Sequence, residues 1–288
     1  MRGALKVLFV PIMLLGFNGA AVWIVLAHLS LFWLAPLLLV AVAFATAVER
    51  VIPYQHAWNR GPGELRRDIA HAVVNLAIII FLTLVVRPGH VLWPRALPLW
   101  AQLLFAILVA DAGITLAHYL SHRFAWLWRF HAPHHEMTRM YGFNGLIQHP
   151  AHQAFEILLG GGFLVMLGMP HEVGLLVSFA VVVQLLLQHS NADMRIGPFA
   201  WLLAVAPVHR RHHRREFDAY GVNFGLFTNI WDHLLGVADV GRQAPVGQDD
   251  LGLADPDYPK TYLAQVAQPF ARDRAETPAS TQAREIAN

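Results

Sequence analysis

The sequence predicts an all-α integral membrane protein of about four to six transmembrane helices, with a helical cap on the cytoplasmic side. Two observations predict this fold class. Hydrophobic residues occupy 56% of the 288 positions and charged residues only 14%, whereas an average soluble protein carries about 25% charged residues. The apolar residues also form long blocks instead of short amphipathic stretches.

The first two blocks run from Val7 to Leu29 and from Leu31 to Val48. Either can cross a bilayer, which needs roughly 20 apolar residues. A cleavable secretory signal is the alternative interpretation of the first block, because Arg2 and Lys6 precede it and small residues follow. The second block comes after almost no polar loop, which favours a retained helical hairpin.

Four further spans complete the predicted bundle, at Asp68–Val86, Leu99–Leu120, Phe155–Met169 and Val173–Leu187. The third of these is short and contains Gly160, Gly161 and Gly162, which permit close helix packing in a membrane. We divide the chain into an N-terminal hairpin and loop (1–67), a main membrane domain (68–270) and a disordered polar tail (271–288).

The positive charges predict the orientation. Arg2 and Lys6 precede the first span and the first turn has no Lys or Arg, so the N-terminus is expected in the cytoplasm. With six spans, the histidine-dense segments and both termini fall on that side, in what we expect to be a bacterial inner membrane. The absence of cysteine excludes disulfides and thiolate-bound iron–sulfur clusters.

Seventeen histidines are unusual in a membrane chain, and many of them form three clusters. His118 and His122 form an i,i+4 pair on one helix face at the end of the fourth span. The other two clusters share the pattern His-x2-His-His and consist of His131, His134 and His135, and of His209, His212 and His213.

Imidazole binds zinc, copper, iron and nickel, so the residue type alone does not name a metal. Eight imidazoles exceed what one ion needs, which favours a two-metal site. A polybasic patch for anionic lipid is an alternative for the third cluster, which also contains Arg210, Arg211, Arg214 and Arg215. That alternative leaves the first two clusters unexplained.

A family resemblance extends along these clusters from Asp111 to Phe270. The residues that carry it after the first cluster are Arg123, Trp128-Arg129-Phe130-His131, Gln188-His189-Ser190-Asn191, Asn223-Phe224-Gly225 and Trp231-Asp232-His233-Leu234-Leu235-Gly236. This ordered combination resembles the fatty acid hydroxylase superfamily, which includes the sterol desaturase family. The resemblance implies two non-haem iron ions ligated by the three clusters, with His189 similar in placement to a further family ligand.

The chain departs from the family pattern at two positions. Some relatives carry a second histidine one turn after His189, where this chain has Asp193. Many relatives show a glutamate where His152 stands here. Whether Asp193 or His152 binds metal itself is left open.

Metal-bound imidazoles usually donate their other N–H to a carboxylate or a carbonyl. The candidates for supporting contacts of this kind are Asp111, His149, His152, Glu156, Asp193 and Asp232. Asp111 is the strongest, because it lies two helical turns before His118 in a span where an unpaired carboxylate is costly. The other histidines, including His71, are predicted to bind no metal. We assign Trp126, Trp128, Trp201 and Trp231 to an interfacial belt or the substrate cleft.

The resemblance implies O2-dependent hydroxylation or desaturation of a lipid C–H bond. The chain has no Gly-x-Gly-x-x-Gly fingerprint for flavin or nicotinamide, so the electrons are expected from a separate ferredoxin or cytochrome b5-like donor. Lipid, O2, this donor and the membrane are the expected partners, and nucleic acid is not.

Three rival functions are less consistent with the sequence. The acyl-CoA desaturase and alkane hydroxylase group is disfavoured by the short hinge between His122 and His131. A metal transporter would need ionisable ligands near the bilayer midplane. A hydrolase lacks support, because neither His-Glu-x-x-His nor Gly-x-Ser-x-Gly occurs.

Overall fold

The computed structural model of the chain describes residues 1–60, 64–85, 92–215, 221–241, 245–247 and 249–271. The secondary structure of these residues is helical, apart from isolated bridges such as that between Leu203 and Thr228. The prediction of an all-α fold is confirmed. The predicted disordered tail lies outside the described residues except for Ala271.

Eleven α-helices follow one another in the described part of the chain. They are α1 Arg2–Pro11, α2 Asn18–Leu26, α3 Leu34–Val51, α4 Leu65–Val85, α5 Leu99–Arg123, α6 Ala125–His135, α7 Pro150–Met166, α8 His171–Gln188, α9 Ala206–His212, α10 Ile230–Leu235 and α11 Tyr262–Ala267. A π-helical turn at Ile12–Phe17 joins α1 to α2, so the two form one continuous rod.

Four helical segments of the described chain are long and apolar enough to cross a membrane. These are Arg2–Leu26, Leu31–Val51, Leu99–Arg123 and His171–Gln188. Beside them lie α4 with 21 residues and α7 with 17 residues. The predicted range of four to six spans is confirmed, and the chain is a multi-pass membrane protein.

Proline determines where the central helices begin. α5 follows Pro98, α8 follows Pro170, and α7 has Pro150 in its first turn, where a missing N–H removes no intrahelical hydrogen bond. His149 caps α7, because its Nδ1 accepts a hydrogen bond from the Ala151 N–H at 3.0 Å. In the first turn of α7, His152 packs against His131 of the second histidine cluster, with ring centroids 4.4 Å apart.

α8 is the central helix of the bundle. Protein buries 72% of its apolar window, against 22–28% for the other three candidate spans. The N-terminal rod packs against it through Phe9 and Met13, which share a core with Leu176 and Val183. In a bilayer such contacts stabilise through close packing, because lipid is as apolar as the helices. This packing fixes the end of α8, which carries His189.

The histidine clusters meet at one end of the bundle. His118 and His122 occupy the last turns of α5, and His189 follows the last residue of α8. The short helices α6 and α9 carry the other two clusters beyond the ends of these spans. The arrangement is a helical cap on a membrane bundle.

Candidate metal centre

Nine buried histidines come together in this cap as two groups. The first group consists of His118, His122, His131, His135 and His212. The second group consists of His134, His189, His209 and His213. Within each group the nitrogens that could bind a metal lie within 4.8 Å of one another. The structure thus brings together the eight histidines of the three clusters and His189, the further ligand that the family resemblance implies.

Helical spacing explains how three clusters supply two groups. His131 and His135 stay together in the first group, because side chains four residues apart share a helix face. The middle histidine of that cluster, His134, points into the second group. The third cluster does the reverse, and its middle histidine, His212, joins the first group. The groups therefore interlock, and the ring centroids of His135 and His213 lie 4.7 Å apart.

Backbone carbonyls fix the tautomers of three of these histidines. Each Nδ1–H donates to a carbonyl: His118 to Phe224 at 2.9 Å, His134 to Ile147 at 2.8 Å and His212 to Val222 at 2.8 Å. A carbonyl can only accept, so the proton of each neutral ring is on Nδ1. The Nε2 atoms are left with free lone pairs, which is the form that binds metal.

The contact between His118 and His212 tests whether a metal fits. Their Nε2 atoms lie 2.8 Å apart, although both carry lone pairs in the tautomers just described. A cation that both nitrogens ligate removes the repulsion between them. In the second group, both ring nitrogens of His189 are buried without a hydrogen-bond partner, which is costly for polar atoms. Each group can therefore hold a metal ion.

Burial keeps the imidazoles of the cap neutral. It lowers the pKa of His134 to about 4 and lowers the pKa values of His131 and His135 well below the ordinary histidine value. Neighbouring histidines lower the pKa values of His209 and His213 further, in addition to burial. Neutral imidazole is the ligand form, so the cap is prepared for metal at neutral pH.

Asp111 supports the centre indirectly. Its carboxylate accepts hydrogen bonds from the backbone N–H groups of Phe227 and Thr228, at 2.7 and 3.2 Å. It also accepts from the Thr228 hydroxyl at 2.7 Å and from the Trp231 indole at 3.1 Å. These contacts attach the chain after Phe224 to α5.

Asp232 holds the same segment from the other side. It accepts hydrogen bonds from the N–H groups of Phe224 and Gly225 at 2.6 and 2.9 Å. The Phe224 carbonyl is the acceptor for His118. Asp111 and Asp232 therefore help to orient His118 by holding this segment in place. The group that accepts the hydrogen bond from the His118 imidazole is a backbone carbonyl and not a carboxylate.

Glu49 and Arg210 hold the loop that follows His189. Glu49 accepts a hydrogen bond from the Asn191 N–H at 3.0 Å, and Arg210 donates to the Ser190 carbonyl at 2.8 Å. Both side chains are buried. Neither role was predicted from the sequence. The sequence features that could have indicated them are the charge of Glu49 at the end of an apolar block and the charge of Arg210 between two candidate ligands.

The structure does not support the polybasic-patch alternative. Arg210 and Arg211 are buried, and Arg211 pairs with Asp239 and donates to the Gly241 carbonyl at 2.8 Å. Arg215 donates to the Leu251 carbonyl at 2.9 Å. These charges bind the protein's own loops around the third cluster.

His152 and Glu156 lie beside the first group. The ring centroid of His152 is 4.4 Å from that of His131, and its Nε2 lies 3.1 Å from the Ser121 hydroxyl. Its Nδ1 is 3.9 Å from Glu156 Oε1. His152 therefore contacts His131 of the first group. Its ring nitrogens are not among those that converge in either group.

The other two supporting candidates lie farther out. His149 caps α7, and its Nε2 lies 3.1 Å from the Val266 carbonyl. Asp193 forms an ion pair with Lys6 and belongs to neither histidine group. The tryptophans also differ in position: Trp128 packs against His122 with ring centroids 4.9 Å apart, whereas Trp126 is exposed.

A cavity of about 590 Å³ leads away from the histidines between α4, α5, α7 and α8. His118, His131, His134 and His209 line one end of it. α8 lines it from Gln188 to His171, a distance of about 25 Å at 1.5 Å rise per residue. Its middle and far parts are mainly apolar. The volume is in the usual range for ligand sites, about 300–1,000 Å³.

Sequence comparisons identify the family. A family model described as fatty acid hydroxylase matches residues 103–237. Ornithine lipid hydroxylase OlsE of Rhizobium tropici is 32% identical over 262 residues, which cover 85% of this chain and 78% of that protein. The chain belongs to the fatty acid hydroxylase family. The resemblance inferred from the histidine clusters is thereby confirmed, and the protein is an oxidoreductase.

Two more distant relatives of this chain are also named as hydroxylases or hydroxylase-like. A cholesterol 25-hydroxylase-like protein of Caenorhabditis elegans is 23% identical over 57% of this chain and 55% of that protein. Sphingolipid C4-hydroxylase of Saccharomyces cerevisiae is 25% identical over 59% of this chain and 46% of that protein. The chain thus spans about half of the length of these two relatives. No solved structure matches the chain.

Part of the site comes from residues that precede the family match in the sequence. Arg67 donates to Asp68 at 2.8 Å and pairs with Glu136, the residue after His135. The Nε2 atom of His71 lies 2.8 Å from the side-chain oxygen, Oε1, of Gln265. No structural role was predicted from the sequence for His71 or Arg67. Their signal was a set of polar residues three to four positions apart at the start of an apolar span.

Proposed function

We propose that this protein hydroxylates a lipid at a non-haem centre of two iron ions, using O2 and electrons from a separate donor. The observation that carries the proposal is the pair of adjoining histidine groups at one end of an apolar cavity. Imidazole sites suit iron, and an apolar cavity suits an alkyl chain. The names of the relatives favour hydroxylation over desaturation.

The overall reaction inserts one oxygen atom of O2 into a C–H bond and releases the other as water. It consumes two electrons and two protons, which a ferredoxin or cytochrome b5-like protein and the solvent supply. When bound, the iron ions provide the O2 activation that amino-acid side chains cannot perform.

The protein's own groups hold and shield this centre. The carbonyls of Phe224 and Val222 direct the Nε2 atoms of His118 and His212 toward the metal position. Apolar side chains along α8 exclude water from the substrate chain. At the histidine end, Gln153 on α7 offers a polar contact for the part of the lipid near the oxidised carbon.

We further propose that the metal centre lies on the cytoplasmic side of a bacterial inner membrane. Lys6 pairs with Asp193, and its carbonyl accepts a hydrogen bond from the Arg195 N–H at 2.8 Å. The start of α1 is therefore at the histidine end of the bundle. Positive residues at that end, Arg2 among them, favour the cytoplasmic side.

Metal transport is the rival function for a membrane protein with clustered histidines. A transport path needs polar or ionisable groups through the membrane. The cavity beyond the histidines is instead lined mainly by apolar residues such as Ile157, Val177 and Val181, and its ionisable lining residues there are Glu156 and His171. This lining supports a lipid chain as the occupant.

The test is iron content of the purified, detergent-solubilised protein beside a variant with both His134→Ala and His135→Ala. We expect about two iron equivalents in the wild type and loss of iron in the variant, because each group loses a ligand. Exposed His56→Ala is the matched control and should keep its iron.

Membranes from cells that express the wild type under isotopically heavy O2 should contain a lipid carrying one heavy oxygen atom. The variant should not form it. Folded wild-type protein that cannot be loaded with iron would overturn the proposal.

A further inference from the structure

Three consecutive glycines of α7, Gly160, Gly161 and Gly162, line the cavity. Close helix packing explains the first. A Cβ on Gly160 would lie 2.6 Å from the Ile114 side chain and 3.1 Å from the Ala110 carbonyl, both on α5. α5 and α7 can approach this closely only because residue 160 has no side chain.

Packing does not explain the next two glycines. A Cβ on Gly161 would meet nothing closer than the Ile157 side chain at 3.9 Å, and one on Gly162 nothing closer than the Leu158 side chain at 3.6 Å. Glycine in a helix costs roughly 0.5–1 kcal/mol relative to alanine. Both residues line the cavity.

Gly161 lies in the centre of the cavity face of α7. It comes four residues after Ile157 and four before Val165, and both of these residues line the cavity. His152, which packs on His131, marks the histidine end of the same helix. Gly161 is nine residues further, about 14 Å along the helix.

The polarity of the cavity lining changes at Gly161. Polar side chains, Gln153 and Glu156 among them, occur on the histidine side of it. On the far side the lining is mainly apolar, with Leu164 and Val165 among its residues, and His171 lies at the far end. A substrate held with its reactive carbon at the histidines therefore extends an alkyl chain past Gly161.

We infer that Gly161 sets the length of the alkyl chain that the enzyme accepts beyond the oxidised carbon. The inference rests on the proposed lipid hydroxylation. A leucine or phenylalanine at this position fills the cavity there and ends it about 14 Å from the histidine end. Lipids with a longer chain beyond that point are then excluded, and lipids with a shorter chain still bind.

The experiment compares wild type with Gly161→Leu and with Gly19→Leu. Gly19 is an exposed glycine of α2 with no atom within 4 Å of an added Cβ, so it controls for the substitution in a membrane helix. Gly161→Ala is the milder second variant, because its Cβ has ordinary contacts. Iron content is measured for each protein.

Two readouts are used. Hydroxylated lipids in the host membranes are sorted by chain length, and so are the lipids that the purified proteins retain in detergent. Gly161→Leu should reduce the amounts of hydroxylated and of retained lipid by about tenfold or more for the longest alkyl chains, and should leave the amounts for short chains unchanged. The reason is that a few methylene groups decide whether a chain fits an apolar pocket. Gly161→Ala should give a smaller shift in the same direction, and Gly19→Leu none.

Two results would overturn the inference. One is a wild-type chain-length profile in a folded, iron-loaded Gly161→Leu protein. The other is an equal loss of all chain lengths. Failure of the proposed hydroxylation can be distinguished from these two results, because the wild type itself would then form no hydroxylated lipid. The lipids retained by the purified proteins would still report whether residue 161 limits the length of the cavity.

Discussion

The Nε2 atoms of His118 and His212 face each other at 2.8 Å, although 94 residues separate them in sequence. Their Nδ1–H groups donate to the carbonyls of Phe224 and Val222, which are two residues apart. One short segment therefore orients two candidate ligands from different helices. The stability of that segment should control the metal centre as directly as the histidines do.

The two histidine groups should lose metal independently. His189→Ala leaves the second group with three of its four histidines and the first group complete with five. We expect the protein to lose about one of two metal equivalents, because removing one ligand sharply lowers affinity at that ion only. The measurement is metal content after dialysis against a weak chelator.

His149→Ala is the matched control for the metal experiment. His149 is buried near the centre but caps α7 and belongs to neither group. It should retain both metal equivalents, and its free energy of unfolding should fall by at least the value of a helix cap, about 1 kcal/mol, because the Val266 carbonyl loses its partner as well. Complete loss of metal from His189→Ala would contradict two separable sites.

Asp232→Asn should weaken both fold and metal binding. The carboxylate accepts from two backbone N–H groups, and an amide presents its own N–H₂ to one of them. We expect the free energy of unfolding to fall by about 1–3 kcal/mol. Metal affinity should fall by about tenfold, since the acceptor of His118 moves.

Thermal unfolding and metal titration check the Asp232 prediction. Asp257→Asn changes an exposed aspartate and should affect neither measurement. An Asp232→Asn protein with wild-type metal affinity would show that the segment does not orient His118.

Arg67→Ala should be among the most destabilising single changes outside the histidines. It leaves Glu136 and Asp68 buried with one partner fewer, and breaking a buried ion pair costs about 3–5 kcal/mol. The exposed neighbour Arg66→Ala should change stability by less than about 0.5 kcal/mol. Adding Glu136→Gln to Arg67→Ala should recover part of the loss, because it removes a buried charge whose remaining ionic partner is the half-exposed Lys260. Thermal unfolding of the wild type, Arg67→Ala, Glu136→Gln and the double variant tests this, and full additivity of the two changes would refute it.

Gly113→Ala should separate α5 from α7. An added Cβ lies 2.1 Å from the Leu159 carbonyl oxygen, which is a backbone atom and cannot rotate away. The unfolding temperature and the metal content should both fall, because α5 carries His118. Gly162→Ala places its Cβ no closer than 3.6 Å to the Leu158 side chain and should keep or raise the unfolding temperature. Equal behaviour of the two variants would contradict the close contact.

Local patterns were sufficient for much of the architecture. Hydropathy alone predicts the long helices, because a membrane span is a local property of about 20 residues. Periodicity places His118 and His122 on one helix face for the same reason. The roles of the residues proposed to support the ligands were less predictable. Asp111 and Asp193, for example, are both carboxylates close in sequence to candidate ligands. Their different roles depend on which distant segment each one meets.

The sequence by itself determined that this is a multi-pass helical protein with three histidine clusters of the fatty acid hydroxylase pattern. Only the tertiary structure decided that His134 and His212 each leave their own cluster for the opposite group. It also decided that Glu49 and Arg67, which precede the family match, support the cap. The physical reason is that a helix fixes the angle between neighbouring side chains. The packing of distant helices decides what each of those side chains meets.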